Sequence, residues 1–235
     1  MPRGKSGAPL GDLTTPHLAD ACLRLGVPVR CGPHQLRAAV LGMKASGRVR
    51  PVRHLGSVDV FLEVLEEAAA GDILVVDNDG RLDEACVGDL VALEARSAGL
   101  SGIVIWGLHR DSQDITDIRL PLFSLGVLPT GPQRLDRRPL DVFGWAKVGL
   151  HTVTSDDFVV ADADGVLFLP AAQLSEIVAT ATTIHATERG QAIAIASGRS
   201  LREQLRFGEY MSRRSHDPDY AFRQHLRQIR AAIEE

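Results

Sequence analysis

Cysteine is sparse: Cys22, Cys31 and Cys86 are the three in 235 residues, and no two stand in CxxC spacing. That argues against a zinc ribbon and supplies no disulfide framework. Cys22 and Cys86 fall on apolar stretches that read as helical and are expected to be packed thiols. Long apolar runs are missing too. None reaches the roughly 18–20 residues that a membrane-spanning helix needs. The opening Met1-Pro2-Arg3-Gly4-Lys5-Ser6-Gly7 lacks the apolar core of a secretory signal. No membrane partner is expected, and the cytoplasm is the expected compartment. Nor does one sign of charge dominate. There are 26 basic and 30 acidic residues, a formal net charge of -4, so there is no global pull toward nucleic acid or an anionic surface. Lysine is nearly absent, with only Lys5, Lys44 and Lys147. No internal repeat or low-complexity tract interrupts the chain.

What is present is an ordinary globular composition, 45% hydrophobic and 24% charged, in a chain long enough to bury a substantial core. Thr15-Pro16 reads as an N-cap followed by proline in the first turn. Leu18, Ala19, Cys22, Leu23 and Leu25 then make an apolar helical face that Gly26 ends. Residues 38–49 look extended. Ser57 is placed to cap a second helix, with Val58, Phe61, Leu62, Leu65 and Ala69 toward a core and Gly71 as its stop. Ile73-Leu74-Val75-Val76 is the continuous apolar run of a strand covered on both faces. A third helix is expected from Gly88-Asp89 to Gly99. Gly102-Ile103-Val104-Ile105-Trp106 then forms another buried strand and runs directly into Gly107-Leu108-His109-Arg110-Asp111. This is βαβ rhythm, in which sites gather at the carboxyl ends of strands.

Residues 121–125 suggest one more strand, and 148–153, 158–161 and 166–169 a β-rich stretch turning at Asp162-Ala163-Asp164-Gly165. Pro170 is expected to open a long alanine-rich helix through Ile184. Beyond Gly198 the chain becomes arginine-rich and helical, with Phe222, Leu226, Ile229 and Ile233 at helical spacing. The prediction is a mixed α/β domain over residues 1–197 and an arginine-rich C-terminal helical arm over 198–235.

Chemistry concentrates in Arg110-Asp111-Ser112-Gln113-Asp114. Arginine offers a planar fork of donors that matches a carboxylate, and aspartate is a hard oxygen ligand suited to magnesium or manganese. An isolated RD pair is more simply read as a structural ion pair. The second element is Gly88-Asp89-Leu90-Val91, at the predicted start of a helix whose free amides favour an anion. Gly88 there would permit close approach to the backbone. Alone, this too reads as an ordinary helix start.

Taken together, Gly88-Asp89-Leu90, Gly102-Ile103-Val104 and Gly107-Leu108-His109-Arg110-Asp111 resemble the RraA-like family, which includes 4-hydroxy-4-methyl-2-oxoglutarate aldolases and regulators of ribonuclease activity A. The likeness continues through Asp72-Ile73-Leu74-Val75-Val76-Asp77 and Ala161-Asp162-Ala163-Asp164-Gly165-Val166 to Pro170, and spans roughly residues 10 to 190. It implies a swivelling α/β/β/α-type sandwich with mixed sheets, associated as trimers or hexamers. It also implies that backbone amides of Gly88, Asp89, Leu90 and Val91 hold a substrate carboxylate, that Arg110 contacts substrate oxygen, and that Asp111 anchors a divalent cation (Mg2+ or Mn2+). Asp114 matches the acid that follows the RD pair in the aldolase branch. Two departures stand out. His109 replaces a small or aliphatic residue, and could narrow the pocket, titrate near neutral pH or be a tolerated loop residue. Ser155-Asp156-Asp157 stands where a Pro-Gly-Asp turn is usual.

The resemblance implies a metal-dependent carbon–carbon lyase of small 2-oxo acids, by retro-aldol cleavage or oxaloacetate decarboxylation through a pyruvate enolate. Its catalytic set is Arg110, Asp111 and Asp114. No lysine lies in the glycine–RD cluster, which disfavours a Schiff base. A cation-held water oriented by Asp114 is the candidate base. The alternatives are a non-catalytic regulator that binds a protein or ribonucleoprotein through the arginine-rich arm, and a lyase or hydratase for another 2-oxo or sugar acid. The acids interspersed in the arm, among them Glu203, Glu209, Asp217 and Asp219, favour a packed solvated helix over a nucleic-acid surface.

Overall fold

The computed structural model describes residues 10–229. Ile233, read as part of the arm's apolar stripe, lies outside them. In chain order the elements are α1 (Thr15–Leu25), β1 (Arg30–Cys31), β2 (Arg37–Ala38), β3 (Ala45–Arg53), α2 (Asp59–Glu66), β4 (Ile73–Asp77), β5 (Ala85–Val87), α3 (Asp89–Ser97), β6 (Gly102–Trp106), β7 (Leu108–His109), α4 (Ser112–Ile118) and β8 (Leu122–Ser124). The hairpin β9 (Ala146–Val148) and β10 (His151–Val153) follows, then β11 (Asp157–Ala161), β12 (Val166–Pro170), a short 3-10 turn, α5 (Leu174–Ala196), α6 (Leu201–Gln204), α7 (Phe207–His216) and α8 (Phe222–Ile229).

Eight strands form one mixed sheet in the order β1-β12-β11-β3-β4-β6-β8-β2. Strands β3, β4, β6 and β8 are mutually parallel, whereas β1, β12, β11 and β3 pair antiparallel. Alternating side chains along each strand serve opposite faces. Leu74, Val76, Ile103 and Ile105 pack under α2, α3 and α4 with Phe61, Val91 and Ile115. Their neighbours Ile73, Val75 and Val104 point the other way, into a central core with Val148, Val153, Val159 and Phe168. The far face of β11 and β12, with Phe158, Val160, Leu167 and Leu169, is covered by α1 and α5 through Leu18, Cys22, Ile177 and Ile184. The layers thus run α/β/β/α around a curled sheet, as the resemblance implied.

Several boundaries differ from expectation. Residues 38–49 are not one extended segment, because β2 ends at Ala38 and β3 begins at Ala45. Likewise 148–153 is a hairpin, turned by Gly149 at φ 61°. The second helix begins at Asp59 with Val58 as its cap residue and ends at Glu66, so Val58, Leu62 and Ala69 are exposed. Its buried face is Val60, Phe61, Val64 and Leu65. Pro170 both closes β12 and caps a short 3-10 turn, Ala171–Gln173, that leads into α5, which starts at Leu174 and continues past Ile184 to Ala196. Cys86 is a packed thiol as expected, but on a strand. A three-residue apolar run has no period from which helix and strand can be told apart. The Ser155-Asp156-Asp157 turn closes without proline or glycine, because the buried Asp157 carboxylate accepts the Thr154 N–H at 2.9 Å and pairs with Arg30.

The first helix starts one residue earlier than predicted, with Thr14 as its cap. Thr15 donates from its backbone N–H and its hydroxyl to the two oxygens of Asp162, each at 2.7 Å, and Asp162 also accepts the Asp164 N–H at 3.0 Å. One buried carboxylate therefore shapes the β11–β12 turn and fastens α1 to it. Asp162→Ala would leave buried donors unpaired, at a cost of roughly 1–3 kcal/mol for each. We expect a clearly lowered urea midpoint for Asp162→Ala and a smaller loss for Asp162→Asn, which keeps one acceptor.

Candidate functional site

Two short strands outside the main sheet bring the sequence-predicted residues together. β5 and β7 pair in parallel, with Ala85 opposite Leu108 and Val87 opposite His109. Parallel strands release their following loops at the same end. Gly88 and α3 follow β5, while Arg110 and Asp111 follow β7, so helix start and RD loop emerge side by side. The Arg110 N–H donates to the Val87 carbonyl at 3.0 Å and completes the join.

Asp111 adopts a left-handed backbone (φ 60°, ψ 45°), a region aspartate tolerates better than most residues. That conformation turns its carboxylate back over α3. Oδ2 accepts the Asp89 N–H at 3.4 Å and lies 3.3 Å from Arg110 Nε. Oδ1 accepts no hydrogen bond among the described residues, and the side chain is 34% exposed. The Arg110 side chain is 46% exposed, and among the described residues its terminal nitrogens have no hydrogen-bond acceptor. Asp89, Leu90 and Val91 occupy the first turn of α3, whose amides have no acceptor within the helix. A cleft of about 280 Å³ opens here, walled by His54, Ser57, Gly88, Leu90, Arg110 and Pro132 among others. The arrangement can take a small anion between a helix start and an open guanidinium.

The other sequence candidates fall differently. Asp114 is exposed on the first turn of α4 and does not line the cleft. His109 is not a loop residue. It is buried in β7, its Nδ1 2.8 Å from Ser124 Oγ, and burial lowers its pKa. It does not line the cleft, because strand pairing turns it inward. Lys44 and Lys147 are not in the cleft wall either.

Among the described residues no three or more His, Cys, Asp or Glu side chains converge as a metal cage. This donor set is wrong for structural zinc. It fits magnesium or manganese, which keep several waters and need only one or two carboxylates. The open Oδ1 of Asp111 is the oxygen available for that role.

Sequence reasoning missed a buried polar chain behind the cleft: His54, Asn78, Glu84 and Arg134. Arg134 donates to Glu84 at 3.1 Å and to Asn78 Oδ1 at 2.9 Å, and His54 Nδ1 lies 2.9 Å from the same Asn78 oxygen. His54 follows β3 and Asn78 follows β4. Position at the carboxyl end of parallel strands was the signal that could have found them.

Gly88 is required by proximity, not by its φ. A Cβ there would lie 2.3 Å from Asp111 Oδ2 and 3.2 Å from Arg110 Nε. Both obstacles are ends of flexible side chains and can yield. Gly88→Ala is therefore expected to leave the thermal midpoint within a few degrees of wild type while weakening anion binding and turnover severely. Calorimetry of folding and of oxalate binding on the same variant would check this; intact binding would mean that the Asp111–α3 contact does not matter.

Comparison with known proteins bears on the family and the fold. The family model described as RraA-like, Aldolase/RraA, matches residues 15–168. A 4-hydroxy-4-methyl-2-oxoglutarate aldolase of Thermus thermophilus is 34% identical over 125 residues, 53% of this chain and 75% of that one. Among solved structures, an uncharacterized protein of Pseudomonas syringae pv. tomato superposes with a TM-score of 0.71 at 26% identity, covering 82% of this chain and 92% of that one. Streptomyces coelicolor RraAS2, described as an unusual member of the RNase ES inhibitor RraA family, gives 0.68 at 26% identity, covering 80% and 98%. Fold, matched span and relatives agree: this chain belongs to the RraA-like family.

Proposed function

We propose that the protein is a divalent-metal-dependent lyase of small 2-oxo acids, cleaving 4-hydroxy-2-oxo acids by retro-aldol chemistry, decarboxylating oxaloacetate, or both. The observation that carries this is the convergence of an open arginine fork and free helix amides at one small cleft, with the partly exposed Asp111 carboxylate held against Asp89 and Arg110 of its wall. The aldolase named among its relatives points the same way.

In this reading the amides of Leu90 and Val91 hold the substrate carboxylate, while Gly88 makes room for the Asp111 carboxylate, which already takes the Asp89 amide. Arg110 faces the 2-oxo oxygen, where negative charge grows as the carbon–carbon bond breaks. A donor fixed at that point before reaction stabilises the enolate without reorganising. Asp111 would hold the cation through its open oxygen, and Asp114, exposed one turn along α4 and outside the cleft wall, would act on it only through water. A bound magnesium or manganese ion supplies further positive charge to the oxo group. Among the described residues no lysine stands in the cleft wall to form an imine. Self-association as a trimer or hexamer would cover Leu41, Leu140 and Leu150, which are almost fully exposed.

A regulator is the second reading, supported by the RNase inhibitor family to which a solved relative belongs. A screen of 2-oxo acids with added magnesium and coupled pyruvate detection separates the two; no pyruvate from any of them would leave the regulator. Asp111→Ala is expected to abolish metal-dependent turnover while the protein remains folded. Arg110→Lys should lower kcat by about 10²–10³-fold, the usual cost of removing one donor to a developing oxyanion, since an ammonium cannot reproduce the planar fork. Wild-type rates in either variant would remove that residue from the site.

A further inference from the structure

The cleft has a second wall, and one residue of it has no place in the mechanism above. His54 leaves the end of β3, its N–H bonded to the Asp77 carbonyl at 2.8 Å. Its side chain is 2% exposed and lies flat on Phe61, with ring centroids 5.3 Å apart and planes 2° from parallel. The hydrogen bonds fix its tautomer. Asn78 Oδ1 accepts from Arg134 at 2.9 Å, so that atom is the amide oxygen, and the His54 Nδ1 at 2.9 Å must be a donor to it. In a neutral imidazole with Nδ1 protonated, Nε2 is the bare lone pair. Nε2 has no hydrogen bond among the described residues. Arg134 occupies the neighbouring hollow on the Nδ1 side, while His54 also lines the cleft that holds Arg110.

The pKa of the ring is also lowered, toward the neutral form. Burial is the largest cause, and the positive charge of Arg134 acts in the same direction. The Asn78 hydrogen bond and the carboxylates of Glu84, 3.9 Å from Nδ1 and paired to Arg134 at 3.0 Å, and of Asp59 act in the opposite direction. The other titratable groups in the cleft wall are poor candidates for accepting a proton. Arg110 is a permanent cation, burial pushes the Cys86 thiol far up, and a carboxylate is intrinsically a weaker base than imidazole.

We propose that His54 is the proton acceptor of the cleft, using Nε2. This rests on the lyase reading for its reaction. Nε2 takes the C4 hydroxyl proton of a 4-hydroxy-2-oxo acid, and C4–O becomes a carbonyl as the C3–C4 bond breaks. The released electron pair forms the C2–C3 enolate. The imidazolium then returns its proton to C3, giving the 2-oxo acid made of C1–C3 with no net gain or loss of protons. His54 thus replaces the cation-held water as the base.

Two measurements test this. With the substrate found by the screen, His54→Gln should lower kcat by about 10²–10³-fold, the range of general-base catalysis, leave KM nearly unchanged, and slow deuterium uptake into the pyruvate methyl group in heavy water. A folded His54→Gln enzyme with wild-type kcat and exchange overturns the proposal. The second measurement needs neither turnover nor a variant: 15N spectra of histidine-labelled wild-type protein, magnesium present, titrated with oxalate as an enolate mimic. An unprotonated Nε2 at neutral pH that shifts on oxalate addition is expected. A protonated Nε2, or one indifferent to oxalate, overturns the assignment even if His54→Gln fails to fold. If no 2-oxo acid is cleaved yet oxalate moves an unprotonated Nε2, the lyase reading falls and His54 stands as the acceptor of the cleft.

Discussion

The pairing of β5 with β7 is the constraint on which the site depends. Neither strand belongs to the main sheet, and the two share only the Ala85–Leu108 and Val87–His109 positions. Yet the parallel register sets the start of α3 beside the RD loop, and the Arg110 N–H to Val87 carbonyl bond closes the join. Backbone hydrogen bonds are short-ranged and directional, so a slip of one residue would turn each side chain to the opposite face. His109 would then face outward and Arg110 inward. The burial of His109 against Ser124 is thus part of what holds the register, which gives a structural reason for a histidine at that point.

Around this pairing the local geometry is shared between two residues that need each other. Asp111 occupies a left-handed conformation that costs about 1 kcal/mol or more for a residue with a side chain. Its carboxylate is repaid by the Asp89 amide and the Arg110 guanidinium, and Gly88 leaves the space in which that carboxylate sits. The same contact leaves the second carboxylate oxygen without a hydrogen bond among the described residues and the outer guanidinium nitrogens open at the cleft. Structural and chemical roles are divided between atoms of the same side chains, so an RD pair can be an ordinary ion pair and still present a site.

This explains what could be read from the sequence and what could not. The buried parallel strands β4 and β6 declared themselves through continuous apolar runs, and α3 through Gly88-Asp89 and its stop at Gly99. Arg110, Asp111 and the α3 start were legible because they are close to glycines and strand ends. The short strands β5 and β7 were not, since two or three residues carry no period; as a result Cys86 was expected on a helix and His109 in a loop. His54, Asn78, Glu84 and Arg134 are scattered over eighty positions and become one polar chain only when β3, β4 and the loop after β8 are folded together. No local pattern announces such a chain.

The two walls of the cleft use charge in opposite ways, and the fold keeps them apart. On the α3 side Arg110 and the helix amides remain open, so their positive character is available to an anion. On the β3 side the buried Glu84 is paired with Arg134 and Arg81, Arg134 also reaches the exposed Asp136, and what faces the cleft is an imidazole. Burying a carboxylate such as Glu84 is expensive unless it is paired. Here the pair fixes the Asn78 amide, the amide fixes the imidazole tautomer, and Phe61 holds the ring plane. A protonated histidine opposite Arg110 would add a second cation to the cleft and bind anions more tightly, but it could accept nothing. The polar chain behind His54 is thus the counterpart of the open arginine before it: one wall binds charge, and the other stays neutral so that a proton can move.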